Sequence, residues 1–407
     1  MDLNPDGLSE PLGCTGSNLK TYPLGGLDMT DLVNFDGLAT AEVNPMVVEA
    51  MRPWLSLNSS PASLHPLGDA TQNLHTTVRA KVAARIGCSP GEVIFTSGIA
   101  EADNLALKGF AKRAEPGGKS LAVLSTEPLS TLNCAREIES HGWDLVTIPV
   151  DREGVADLGL AKEVLSSDTA LVSAHLVNEE TGAIQPIAEL VELIREIAPK
   201  AKIHCNGRAA IGRIPFSFNE LGVDSLSFDV ASIGGPSGIG VLIVKSGNVL
   251  APLIHDGGAV SASTNSRYDS TGLANAQIAG LGDACELPAL SAANSLLLAD
   301  SIVRTELGRK CWTISPGNCA AGILNLCIES VLAEPLVIEC GINGLLISPS
   351  SGCTSSAGKA SHVLLGMGIS EAGALSSVRF SLSGDLSGEE IARGVSALAR
   401  SYADMSG

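Results

Sequence analysis

Basic residues are scarce in this chain: 26 Lys and Arg stand against 44 Asp and Glu, for a net charge of −18. No Lys/Arg-rich run occurs, which excludes nucleic acid and anionic membrane surfaces as main partners, and a basic patch on another protein suits the chain better. Nor is there a stretch of about 18 consecutive apolar residues, so no helix is expected to span a membrane. The opening "MDLNPDGLSEPLG" lacks the basic start and apolar stretch of a signal peptide, which gives the cytoplasm as the expected compartment. Ten cysteines in 407 residues are too dilute for a disulfide scaffold. Most, such as Cys134, Cys205 and Cys327, lie among apolar residues and read as small buried hydrophobes. No CxxC pair or His/Cys cluster has zinc spacing, so a structural metal site has no support. Only Cys353, within "SPSSGCTSSAGK", sits in a Ser/Gly/Pro context, where exposure and reactivity are expected. No internal repeat or low-complexity tract stands out.

What is present is a chain with 45% hydrophobic residues, enough for a full core and most simply one large domain plus a smaller one. Leu74, Val78, Val82 and Ile86 recur every four residues on one helix face, and Gly87 follows as a stop. The runs "EVIFTSG", "SLAVLS", "DLVTIPV", "ALVSAHLV" and "AKIHC" suit buried strands, separated by helical segments such as "EADNLALKGFAKR", "STLNCAREIESHG" and "PIAELVELIREIA". This alternation predicts an α/β fold with a mainly parallel sheet covered by helices on both faces. Beyond about residue 265 the rhythm changes to long helical stretches followed by "ILNLCIES", "GLLISPSSGC" and "VRFSLSG" as strands and a last helix. The expected division is a lead-in over residues 1–33 that packs on the small domain, a large α/β domain over 34–265, and a small α+β domain over 266–407. Ligands of such folds bind at the carboxyl ends of the parallel strands.

Several segments, in order, resemble the cysteine desulfurases, within the class V aminotransferase group of pyridoxal phosphate (PLP) enzymes. They are "FDGLATAEVNPMVVEAM", "SSPASLHPLGDA", "EVIFTSGIAEADNLALKG", "HLVNEETGAIQPIAEL", "IHCNGRAAIGRIPFSFNELGVDSLSF", "GGPSGIGVLIV", "SSGCTSSAGKASHVLLGMG" and "LSSVRFSLSG", spanning about residues 34–395. The resemblance implies the type I PLP-transferase fold, with a seven-stranded large-domain sheet and a small domain carrying a cysteine loop. It also implies a homodimer, or a heterodimer with an active desulfurase.

The chemistry of that family requires groups that this sequence replaces. A lysine forms the imine with PLP, and a carboxylate keeps the pyridine nitrogen protonated. The lysine position, four residues before the Pro of Gly-Pro-x-Gly, holds Ser232, and the histidine before it is Ala231. The pyridine-facing aspartate aligns with Asn206, a neutral amide, and the glutamine three residues on is Ala209. Pro128 stands for the stacking histidine, Ala100 for the phosphate-turn threonine, and Glu179 for the ring-contacting asparagine after the retained Asn178. Asp229 replaces a phosphate-binding serine and would repel a phosphate dianion sharing its pocket. The family's Gly-x-Arg-x-Gly-Thr turn is not found in "AVSASTNSRYD", and Gly98 with the helix start after it is weak support for an anion site on its own. Lys108 and Lys245 are expected to be solvent-facing charges.

Two positions keep the family's residues: Cys353, where the catalytic cysteine takes sulfur as a persulfide, and Arg379, where an arginine binds the substrate carboxylate. An ordinary ion pair within the small domain is the simpler use for Arg379, whereas for Cys353 retention by descent without a task stands level with a function. His204, His175 and His65 are expected to satisfy buried groups, and Glu179 with Glu180, adjacent in sequence, to face apart rather than form an acid/base dyad. The expectation is a cysteine-desulfurase-like protein without PLP or desulfurase activity. It would act in sulfur transfer or as an iron–sulfur assembly scaffold or accessory subunit, with Cys353 as persulfide or cluster-ligand site. The alternative is an enzyme: a desulfurase holding PLP without the imine, or a protein binding another small ligand through Arg208, Asp229 and Glu179.

Overall fold

The structure is a computed structural model that describes residues 32–114, 119–255, 268–269, 272–350 and 358–406. The chain enters through a short strand β1 (Val33–Asn34) and then builds seven strands of one sheet. These are β2 (Val93–Thr96), β3 (Ser120–Leu124), β4 (Asp144–Ile148), β5 (Thr169–His175), β6 (Lys202–Asn206), β7 (Ser225–Phe228) and β8 (Gly240–Val244). Their order in the sheet is β2-β8-β7-β6-β5-β3-β4, with β8 antiparallel to both neighbours and the other pairs parallel.

Alternation along each strand sends successive side chains to opposite faces, which explains why two helical layers are needed. Phe95, Ala122, Leu124, Val241 and Ile243 join one core with Val78 and Val82 of helix Pro66–Ile86, Ile187 and Leu190 of helix Ile187–Ile197, and Ile278 of helix Asn275–Ala284. Ile94, Leu121, Val123, Leu242 and Val244 join the other, with Leu105 and Phe110 of helix Ile99–Ala111 and Cys134 and Ile138 of helix Leu129–Ser140. The helix read from Leu74 to Ile86 stops where expected: Gly87 takes φ 74°, and its amide closes on the Ala83 carbonyl. A Cβ at Gly87 would also meet Ser217 Oγ at 2.4 Å, so glycine is required there twice over.

The remaining strands form a second layer system. β9 (Cys311–Thr313), β10 (Ile323–Ile328), β12 (Ser348–Pro349) and β13 (Ser377–Ser381) make an antiparallel sheet of order β12-β13-β10-β9. β11 (Leu345–Leu346) instead pairs in parallel with β1. Helices Ala293–Leu307, Ala333–Ile342 and Gly388–Ser406 contribute side chains to the core over this sheet, where Phe35 and Phe380 pack with ring centroids 5.2 Å apart. β9 was not expected from the sequence, being three residues long. No helix among the described residues is long and apolar enough to cross a membrane.

Candidate functional site

Three loops that leave the carboxyl ends of adjacent strands meet above the large sheet. Asn178, Glu179 and Glu180 follow β5, Arg208 and Ala209 follow β6, and Asp229 to Ser232 follow β7. Because these strands are parallel neighbours, residues a few positions beyond each end are brought together without long-range folding of the loops.

The centre is Arg208. Its Nη1 lies 2.7 Å from Glu179 Oε2 and its Nε 3.2 Å from Asp229 Oδ2, so one guanidinium spans two carboxylates from neighbouring loops. Asp229 is buried, and burial raises its pKa while the Arg208 charge opposes the shift. Ser232 is fully buried, and its hydroxyl accepts from Arg213 Nη1 at 3.1 Å. Arg213 also donates to the carbonyls of Ser232 and Leu382, and burial, with Arg208 nearby, lowers its pKa to about 10. Arg379, on β13, donates to Asp36 at 3.0 Å and to the Glu179 carbonyl at 3.5 Å. The Nε atoms of Arg213 and Arg379 are buried and find no acceptor among the described residues.

Beneath this layer lies a buried network centred on Asp103, which is fully enclosed by helix and sheet. Its carboxylate accepts from Asn206 Nδ2 at 2.9 Å, Thr131 Oγ1 at 3.2 Å and Ser227 Oγ at 2.5 Å, and His204 Nε2 lies 3.0 Å away. Asn206 Oδ1 in turn accepts the Arg208 amide at 3.0 Å. The other imidazole nitrogen of His204 meets Ser225 Oγ at 2.9 Å, so a serine, a histidine and an aspartate stand in line. All three are fully buried, which leaves no room for a substrate, and the arrangement is structural. A second buried pair joins His175 Nδ1 to Glu127 Oε1 at 3.1 Å. His65 sits at a helix start, where its Nδ1 accepts the Gly68 amide at 3.4 Å.

The other sequence-predicted positions fall around this cleft. Ala209 is core, Pro128 is half-buried immediately before helix Leu129–Ser140, and Ala100 is exposed in the first turn of helix Ile99–Ala111. Glu179 and Glu180 diverge: Glu179 goes to Arg208, whereas Glu180 accepts from Ser361 Oγ at 2.5 Å. Burial pushes Glu180 up to about 7 against the pull of Ser361 and Arg379. Cys353 and the segment "AVSASTNSR" lie outside the described residues. The eight cysteines among the described residues are unpaired, and burial raises the pKa of each, to about 12 for Cys88, Cys134, Cys285 and Cys311. At neutral pH these thiols are protonated and poor nucleophiles. Among the described residues no three His, Cys, Asp or Glu side chains gather as a metal cluster.

The sequence profile of the class-V aminotransferases matches residues 33–393. The chain belongs to that family. It is 33% identical to the cysteine desulfurase IscS of Dictyoglomus turgidum over 86% of this chain and 89% of that protein. Against the cysteine desulfurase IscS of Methanosarcina thermophila the identity is 30%, over 93% of this chain and 92% of that protein. A solved NifS-like protein superposes with a TM-score of 0.81 at 26% identity, covering 92% of this chain and all of that one. The NifS-like protein from Rickettsia africae gives 0.79 at 25% identity, over 91% and 99%. This class-V chain is therefore an IscS/NifS-like cysteine desulfurase relative with the type I PLP-transferase fold, and the family to which it belongs is PLP-dependent.

Proposed function

We propose that this class-V family member has given up PLP and desulfuration, and serves sulfur transfer or iron–sulfur cluster assembly as a scaffold or accessory subunit. The observation that carries the reading is the Arg208 clamp. Glu179 and Asp229 stand at positions that the family resemblance assigns to ring and phosphate contacts, and here both are tied to one guanidinium. The residues do not fit the cofactor. The phosphate dianion would meet the Asp229 carboxylate, and the aldehyde would meet a serine hydroxyl bonded to Arg213. The pyridine nitrogen would face Asn206, whose amide is committed to Asp103 and to the Arg208 backbone.

In this reading the large domain, residues 34–265, is the former cofactor domain, and the small domain, residues 266–407, presents the Cys353 loop. Sulfane sulfur arrives from a donor persulfide. The Cys353 thiolate bonds to the terminal sulfur, the donor's S–S bond breaks, and the donor leaves as a thiolate, so no outside oxidant or reductant is consumed. The same thiolate suits one ligand position of a cluster held with a partner. The partner is a second copy or an active desulfurase, with a sulfur acceptor or cluster scaffold protein, in the cytoplasm.

The deciding experiment is the visible spectrum of the protein at saturating PLP, together with sulfide release from cysteine. Neither a bound-cofactor band nor sulfide is expected, and persulfide delivered by an active desulfurase should be retained by the wild type and lost in Cys353→Ser. A band with sulfide release would instead make the chain a desulfurase that holds PLP without the imine. The two unpartnered arginine Nε donors favour one second reading, a small anion in the altered cleft. A rise in melting temperature with millimolar carboxylate or phosphate, abolished by Arg213→Met, would support it.

A further inference from the structure

One helix among the described residues turns a largely apolar outer face to water. Ala333–Ile342 reads AEPLVIECGI, and its inward residues Ala333, Leu336 and Cys340 pack in the core over the small sheet. Pro335, Ile338 and Ile342 follow at steps of three and four, which puts them on one opposite face, and the cap residue Leu332 stands just ahead of them. Leu332 is 56% exposed, Ile338 66% and Ile342 71%. Glu334 and Glu339 flank this face half-buried, and the exposed aliphatic patch between them calls for a cover.

The path of the chain supplies one. β1 runs parallel to β11, with the Val33 amide bonded to the Gly344 carbonyl at 2.8 Å. Gly344 stands two residues beyond Ile342, so the chain ahead of Val33 is delivered alongside the carboxyl end of this helix. The delivery point is fixed, because Val33 and Phe35 are buried in the same core as Leu336 and Cys340. Thirty-one residues precede Leu32, and Leu24, Leu27 and Met29 are among the last eight of them. Eight extended residues reach about 26 Å, whereas a ten-residue helix is about 15 Å long. The segment can therefore run the whole length of the face.

We propose that the amino-terminal segment of this chain, through Leu24, Leu27 and Met29, docks on the outer face of helix Ala333–Ile342 and covers Leu332, Ile338 and Ile342. The inference does not depend on how the cofactor cleft is read. Its consequence is a small domain whose free helical surface is set by the chain's own lead-in.

Lys20 is the one Lys or Arg before Arg52, so trypsin cleavage after it removes a fragment identifiable by mass. In the full-length protein, Ile338→Glu should speed that cleavage by roughly tenfold or more, as one buried apolar contact replaced by a charge frees the segment. Leu27→Glu should do the same from the other side. Leu297→Glu, at a 68% exposed leucine on a different helix, should leave the rate unchanged, and the melting temperatures show whether each variant is folded. Equal cleavage rates in the wild type and in folded Ile338→Glu and Leu27→Glu would overturn the proposal. So would an Ile338→Glu effect that vanishes on dilution, since that assigns the face to a second copy.

Discussion

Restoring the lysine that the family resemblance assigns to position 232 is the simplest way to ask whether the cleft still accepts PLP. Ser232→Lys places an ammonium in a fully buried pocket whose hydroxyl now sits 3.1 Å from Arg213 Nη1. Two like charges about 4 Å apart at an effective dielectric near 20 repel by about 4 kcal/mol. The introduced amine can escape by losing its proton, at the equivalent cost of about three pKa units. Its folded-state pKa then lies below the unfolded value near 10.4. The folded state binds fewer protons than the unfolded one, and stability climbs as pH rises toward that value.

The expected result in urea denaturation is a deficit of about 4 kcal/mol against wild type at pH 7, shrinking at pH 10. Arg213→Met in the same chain should recover most of it. With saturating PLP, Ser232→Lys alone should give no visible band, because Arg208, Glu179 and Asp229 remain in place. The band should need Arg208→Ala, Glu179→Asn and Asp229→Ser as well. If Ser232→Lys alone is as stable as wild type at pH 7 and binds PLP, the electrostatic reasoning is wrong.

Two further outcomes follow from the same cluster. Arg208→Met leaves Glu179 and Asp229 facing each other without a cation; since each keeps some solvent contact, the loss should be about 2 kcal/mol at pH 7, below that of a fully buried pair. Without the guanidinium that opposes it, burial raises the Asp229 carboxyl further, so the deficit should shrink as pH falls toward about 4, measured by urea midpoints. Glu180→Gln tests the raised carboxyl beside Ser361. A folded-state value near 7, above the ordinary 4.5, means stabilisation complete below about pH 4.5 and lost as pH rises through 7. Allowing for its partial solvent contact, wild type should lose about 1–2 kcal/mol more than Glu180→Gln between pH 5 and pH 8. Parallel pH curves for the two proteins would remove the argument.

The large sheet was readable because most of its strands are buried on both faces and stand out as short apolar runs between helices of clear period. Gly87 was readable as a stop because only glycine takes its backbone angle cheaply. Positions 179, 206, 229 and 232 came from the resemblance, and the structure adds what the sequence could not state, that Glu179 and Asp229 share Arg208. That pairing depends on strands β5, β6 and β7 lying side by side, which alternation alone does not order. Arg213 went unnoticed, as nothing local marks an arginine that reaches a serine nineteen residues away. Asp103 did carry a signal: it lies on the same helix face as Ala106, Leu107 and Phe110, where an acid is out of place unless it is fully hydrogen-bonded.

On the proposed reading, the charges account for how a cofactor cleft persists without its cofactor. A site that holds a phosphate dianion needs surplus positive charge, and removing the anion leaves buried guanidiniums that repel one another. Here Arg208 is paired with Glu179 and Asp229 and Arg379 with Asp36, all supplied by the chain itself, while Arg213 bonds to Ser232 and to two carbonyls. On the proposed reading, Glu179 and Asp229 do the neutralising work that a bound anion would do, and they also tie the loops after β5, β6 and β7 together. Asp36 meanwhile holds the entry of the chain to β13 through Arg379. An anion that seeks the Arg208 guanidinium must displace Glu179 or Asp229 to gain it, so its binding energy there is largely cancelled. On that reading, PLP binding takes removal of the carboxylates as well as introduction of the lysine.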